Sequence, residues 1–199
     1  MNVPIKTAII SVSDRSGLGE IAQHLHQMRV AIYSTGGTFR ALQGFGVKAT
    51  PIDELTQFPE IMDGRVKTLH PAVFAGILAR RDNPKDMETL RAHQMRPIDL
   101  VVSNLHPFAK LAAEADATPD EIIDHIDIGG LSMLRAAAKN FRDVAVVVDP
   151  VDYGAIIDET LQNEGSLSLE TRRRLALKVF ERTAEYDRAI ARHLTETTP

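Results

Sequence analysis

An aspartate between two isoleucines, followed by paired glycines, stands out as a candidate for acid–base chemistry: Ile126-Asp127-Ile128-Gly129-Gly130. Burial there would penalise the charged carboxylate unless a cation or backbone N–H groups compensate. Lys139, closing the run Arg135-Ala136-Ala137-Ala138-Lys139, could be that partner or could move a proton. The two are 12 residues apart, ~18 Å along one straight helix. They meet only if the chain turns back at Gly129-Gly130 or if one of them serves the site of a neighbouring subunit. Lys139 also fits a plainer description, an exposed cation at a helix end favoured by the macrodipole.

Gly64-Arg65-Val66-Lys67-Thr68-Leu69-His70-Pro71 packs two cations, a hydroxyl and an imidazole into one loop-like string whose glycine and proline suggest a fixed shape. His70 by itself reads as a structural hydrogen-bonding histidine. In Ser34-Thr35-Gly36-Gly37-Thr38 the glycines allow backbone amides to approach a phosphate and the hydroxyls can donate to it, although a tight strand-to-helix connection would use the same residues. Ser11-Val12-Ser13-Asp14-Arg15-Ser16-Gly17 offers hydroxyls, a cation and the start of a helix, a set suited to an anion or to a solvated, capped turn. Ser103-Asn104-Leu105-His106-Pro107-Phe108 adds an amide able to read a heterocycle edge, since it both donates and accepts, and a second imidazole.

These strings need a scaffold, and the apolar pattern supplies one. Short runs without clean alternation at Thr7-Ala8-Ile9-Ile10, Val30-Ala31-Ile32-Tyr33, Leu100-Val101-Val102 and Val144-Ala145-Val146-Val147-Val148 read as strands covered on both faces. Helical spacing follows the first at Ile21, Leu25 and Met28, and the second at Phe39, Leu42 and Phe45. Strand and helix in alternation predict an α/β fold with a mostly parallel sheet. Three of the polar turns then fall at the carboxyl edge, where open parallel sheets bind ligands. Thr118, Pro119 and Glu121 form a capping box for a helix to about Asp124. After Asp149-Pro150 the spacing predicts a helix over Val151 to Gln162, a break at Gly165, and a long charged helix from about Leu169 to Leu194 that reaches beyond the sheet, toward a partner subunit. The segment from Thr195 to Pro199 reads as a frayed end or linker.

At 199 residues with 44% hydrophobic content, the chain suits one compact domain. A formal net charge of -4 argues against a general nucleic-acid binder, because counterion release needs a basic surface. Without cysteine there is no disulfide framework or thiolate metal site, and neither a signal-peptide stretch nor a membrane-length apolar run is present, so a cytoplasmic location with no membrane partner is expected.

Taken together, these strings resemble the inosine monophosphate cyclohydrolase domain of the bifunctional purine-biosynthesis protein, along nearly the whole chain. Val146-Val147-Val148-Asp149-Pro150 and Thr183-Ala184-Glu185-Tyr186-Asp187 fit the family as well. The resemblance implies a methylglyoxal-synthase-like three-layer fold, residues 1–150 as the α/β core and 151–199 as a helical extension, within a single domain that lacks the formyltransferase part. It implies dehydrative closure of 5-formamidoimidazole-4-carboxamide ribonucleotide to inosine monophosphate, with no metal and no cofactor. By motif, Ser13, Asp14, Arg15, Thr35, Gly36, Gly37, Thr38, Lys67 and Thr68 would hold phosphate and ribose, and Arg65, Ser103, Asn104, Asp127 and Ile128 would line the base. Lys139 would transfer protons beside Asp127, and Lys67 would steady the oxyanion. A homodimer and a separate formyltransferase supplying the substrate are the partners implied.

The sequence departs from the family's pattern near the site. His106 stands where the family has tyrosine, so a hydrogen-bond donor there has a pH-dependent charge. Arg15 replaces a lysine, Phe74 a histidine, and Leu131-Ser132 a proline- or valine-threonine pair. These changes admit two other readings: a paralogue that closes a related ring on an altered nucleotide in specialised metabolism, and a non-catalytic nucleotide-sensing module of the same fold.

Overall fold

The computed structural model describes residues 2–113 and 116–196. Its centre is a five-stranded, wholly parallel sheet of β2 (Thr7–Val12), β3 (Ala31–Ser34), β4 (Thr50–Pro51), β5 (Leu100–Asn104) and β6 (Ala145–Val147), ordered β4-β3-β2-β5-β6. A two-residue antiparallel pair, β1 (Val3–Pro4) with β7 (Ser166–Leu167), ties the start of the chain to the segment ahead of the last helix. The chain moves outward from β2 through β3 to β4, then crosses back to β5 and β6. Strand order therefore reverses at β2, and the crevice beside such a switch point is where ligands bind.

Both faces of the sheet are covered, as the unbroken apolar runs predict. On one face Ala8, Ile10, Leu100 and Val102 pack on α1 (Leu18–Gln27) and α9 (Tyr153–Gln162). On the other, Ile9, Val101 and Val146 pack on α4 (Pro71–Leu78), α8 (Gly129–Lys139) and α10 (Leu169–Glu196). Each valine, leucine or isoleucine among them contributes roughly 1.5–3 kcal/mol by leaving water. A satellite cluster of Phe108, Ile122 and Tyr186 joins α6 (Phe108–Leu111), α7 (Pro119–Asp124) and α10. Phe74 and Leu131, two of the departures from the family pattern, are absorbed by these clusters as packing residues.

Local signals hold well. The Thr118 hydroxyl accepts the Glu121 N–H at 3.3 Å while the Glu121 carboxylate accepts the Thr118 N–H at 2.9 Å, closing the capping box. The predicted helix from Val151 begins instead as a 3-10 turn, Pro150–Asp152, because proline at its first position opens a tight turn capped by Asp149, and α9 proper starts at Tyr153. Gly165 breaks the chain with φ of 78°, a left-handed conformation that favours glycine. The long α10 does run past the sheet, and in this chain its far end rests on α6. Its start is anchored by Arg172, fully buried, which donates to the carbonyls of Phe141, Arg142 and Leu167. Residues 197–199 of the predicted tail lie outside the described residues.

Candidate active site

Register sets the site. Val12 pairs with Asn104 across β2 and β5, and Ile10 with Ser34 across β2 and β3, so the three polar turns leave the sheet side by side. Asn104 fastens two of them. Its Oδ1 accepts the backbone N–H groups of Ser13 (2.7 Å) and Asp14 (2.9 Å) and the Ser13 hydroxyl (2.8 Å), and its Nδ2 donates to the Asp14 carbonyl (2.9 Å). One Nδ2 hydrogen remains for a ligand. Ser103, one residue earlier, is buried.

The Thr35 and Thr38 hydroxyls are also engaged by the fold. Thr35 Oγ1 pairs with Ser11 Oγ at 2.7 Å, and Thr38 Oγ1 both accepts the Val12 N–H and donates to the Val12 carbonyl at 3.0 Å. With Thr35 so occupied, α2 (Gly36–Gly44) begins with no side-chain cap, and its first N–H groups face the carboxyl edge. The Arg15 guanidinium lies directly over Gly37: a Cβ added there would sit 2.8 Å from it. A cation and an uncapped helix start in one place make an anion site.

Asp127 stands just before the start of α8. Its Oδ1 accepts the Gly130 N–H at 2.7 Å, its backbone N–H donates to the Tyr186 hydroxyl at 2.8 Å, and its Oδ2 is 3.7 Å from His106 Nδ1. Gly130 makes room for the carboxylate, because a Cβ there would come within 2.6 Å of Oδ2. At 3.7 Å the His106 contact is an ion pair more than a close hydrogen bond. Asp127 nevertheless raises the imidazole pKa above its ordinary value, outweighing burial and the charge of Lys67. Asp14 titrates below the usual carboxylate range because the Ser16 side chain and backbone both donate to it.

Two clefts flank these groups. One of about 210 Å³ lies beside the start of α2 and includes Gly36, Phe58, Glu60 and Lys67. The other, about 740 Å³, lies between the β2 and β5 turns and α10, and includes Ser13, Asp14, Asn104, His106, Arg182 and Tyr186. In the string 64–71, Lys67 is 3.9 Å from Glu60, and Arg65 pairs with Asp124 at the end of α7. The Thr68 hydroxyl sits against Gly129. His70 Nδ1 accepts the Ala72 N–H at 3.2 Å, capping α4, which is the structural part expected of it. Ile128 is exposed at the start of α8.

Lys139 is not with the others. It is the last residue of α8 and is exposed there, and Asp127 precedes the first. The chain does not double back at Gly129-Gly130, since both glycines are the first turn of the helix. As α8 crosses from β5 to β6 it runs against the strands, which puts Lys139 at the opposite edge of the sheet. Three partners escaped the sequence reading: Glu60, Asp124 and Tyr186. Only Tyr186 carried a signal, an aromatic on the buried stripe of α10 whose hydroxyl needs a partner.

Comparison with known proteins identifies the family. The MGS-like domain family profile matches residues 17–132, and that of the AICARFT/IMPCHase bienzyme matches 137–199. The chain is 53% identical, over 98% of its length, to the bifunctional purine biosynthesis protein PurH of Listeria monocytogenes, and 53% identical over 96% to that of Chloroflexus aurantiacus. It spans 38% and 37% of those relatives. The crystal structure of ForH superposes with a TM-score of 0.84 at 33% identity, covering 96% of this chain and 99% of that one. The chain belongs to the MGS-like domain family, in the form that the N-terminal region of the PurH bienzyme takes.

Proposed function

We propose that the chain is an inosine monophosphate cyclohydrolase, closing the second purine ring of 5-formamidoimidazole-4-carboxamide ribonucleotide. The carboxamide nitrogen bonds to the formyl carbon, and the formyl oxygen leaves as water with one proton from that nitrogen and one from the formamide nitrogen. The observation that carries the reading is the Asp127 carboxylate held 3.7 Å from His106, beside the turns that end β2 and β5. An amide nitrogen is a poor nucleophile, so the rate must come from orientation, proton handling and donors aimed at the developing oxyanion.

The start of α2 with Arg15, together with Ser13, Asp14, Thr35, Thr38, Lys67 and Thr68, holds the phosphate and ribose. Arg65, Ser103, Asn104, Asp127 and Ile128 line the base. Lys67 steadies the oxyanion. His106, kept cationic to higher pH by Asp127, passes a proton to the departing oxygen. Lys139 lies at the far end of α8 from this cleft, so its part in proton transfer is taken in the cleft of a second copy, in a homodimer. The reaction is cytoplasmic, and a formyltransferase activity supplies the substrate.

Incubation with the formamido ribonucleotide should give inosine monophosphate faster than the buffer blank, and no acceleration from about pH 6 to 9, a span set by the imidazole range, would sink the assignment. Mixing Asp127→Ala with Lys139→Ala chains should restore part of the activity each lacks; a mixture as inactive as its components removes the shared site. The imidazole at position 106 also favours a second reading, closure of a related ring on an altered nucleotide. Specificity constants across ring analogues separate the two.

A further inference from the structure

Asp127 is also bonded from α10, through its backbone. Asp127 lies in the short irregular stretch between α7 and α8, where no helix or strand ladder orients its backbone. Tyr186 of α10 reaches into that stretch. Its hydroxyl oxygen accepts the Asp127 N–H at 2.8 Å, and its O–H donates to the His125 carbonyl at 3.4 Å. The phenol thus spends a donor and an acceptor on one peptide segment. The ring is held in turn by the edge of Phe108, with centroids 6.2 Å apart. Were Tyr186 only filling space, phenylalanine would serve without the cost of burying a hydroxyl.

We propose that Tyr186 is a positioning residue of the site: its hydroxyl clamps the 125–127 backbone so that the Asp127 carboxylate faces His106 and the first turn of α8. The effect on turnover rests on the cyclohydrolase reading; the clamp does not. One consequence is architectural. The C-terminal helix belongs to the site as well as covering the sheet, because loss of the Tyr186 contact lets the segment turn and swings the carboxylate away from both of its partners.

The imidazole of His106 reports this directly. Asp127 faces it at 3.7 Å, the His125 ring stands edge-on at 6.1 Å, Lys67 acts on it electrostatically, and Asp14, Arg182 and Glu185 line the same cleft. Of these, Tyr186 holds only the segment that carries Asp127 and His125. In Tyr186→Phe, which keeps the ring and its packing, the His106 titration followed by NMR should fall toward the ~6.5 of a free imidazole. Turnover should drop about ten- to a hundredfold with KM little changed. An unmoved His106 titration overturns the clamp. Should the variant fail to fold, amide exchange in the unaltered protein decides: protection of the Asp127 N–H, outside any helix or strand, supports the clamp, and exchange at the free-peptide rate overturns it. If the unaltered chain turns nothing over while its His106 titration still responds to Tyr186→Phe, the cyclohydrolase reading fails and the clamp stands.

Discussion

Adding one methyl group at Gly130 separates two consequences that normally go together. In a helix without obstruction, glycine to alanine raises stability by roughly 1 kcal/mol. At Gly130 the new Cβ would stand 2.6 Å from Asp127 Oδ2 and 3.0 Å from Oδ1, well inside ordinary contact distance. The carboxylate must retreat by most of an ångström, and in doing so gives up the 2.7 Å hydrogen bond from the Gly130 N–H. A hydrogen bond to a charged group contributes about 1.5–3 kcal/mol, so the gain in helix propensity turns into a net loss on the order of 1 kcal/mol. The same displacement moves the acid–base group out of line with the reacting atoms, which costs about a hundredfold in turnover. Urea unfolding and initial rates of inosine monophosphate formation, followed by absorbance, measure the two effects. Gly154→Ala is the control: it lies in α9 with nothing within 4 Å of the added Cβ, and should gain roughly 0.5–1 kcal/mol with activity unchanged. A Gly130→Ala chain that is stabilised like the control and fully active would refute the account of where the carboxylate lies.

Arg172→Met should lower stability by roughly 2–3 kcal/mol in urea unfolding, because one buried and two part-buried carbonyls lose a charged donor together, and a loss below ~1 kcal/mol would discount the anchor. The pH dependence follows from His106. Its folded pKa is raised, so the His106–Asp127 pair contributes its full stability below the ~6.5 of the unfolded imidazole and loses it as pH rises through the folded value. The stability difference between the unaltered chain and His106→Tyr should therefore shrink from about pH 6 upward, other groups cancelling; a flat difference contradicts the pair.

Legibility in the sequence followed the range of the interaction. The β2, β3, β5 and β6 runs, the Thr118 capping box, the Gly165 break and the long α10 each rest on residues within a turn or two of one another. The short apolar α4 escaped because Pro71–Leu78 is hydrophobic nearly all round and shows no helical period. β4 is two residues long, and β1 pairs with β7 across almost the whole chain. Strands of that length carry no periodicity to read.

By itself, the sequence determined the layered α/β class, the edge of the sheet where polar turns gather, and the set of residue types from which a nucleotide site can be built. Those follow from apolar spacing and turn chemistry, which are local. Only the tertiary structure decided which of those residues meet. Asn104 binds Ser13, 91 positions away, and so locks the two turns together before any ligand arrives. Tyr186 fixes Asp127 from a helix 59 positions on. Lys139, which shares a motif with Asp127, is separated from it by the full length of α8. Strand register and helix direction set those distances, and both are properties of the packed whole.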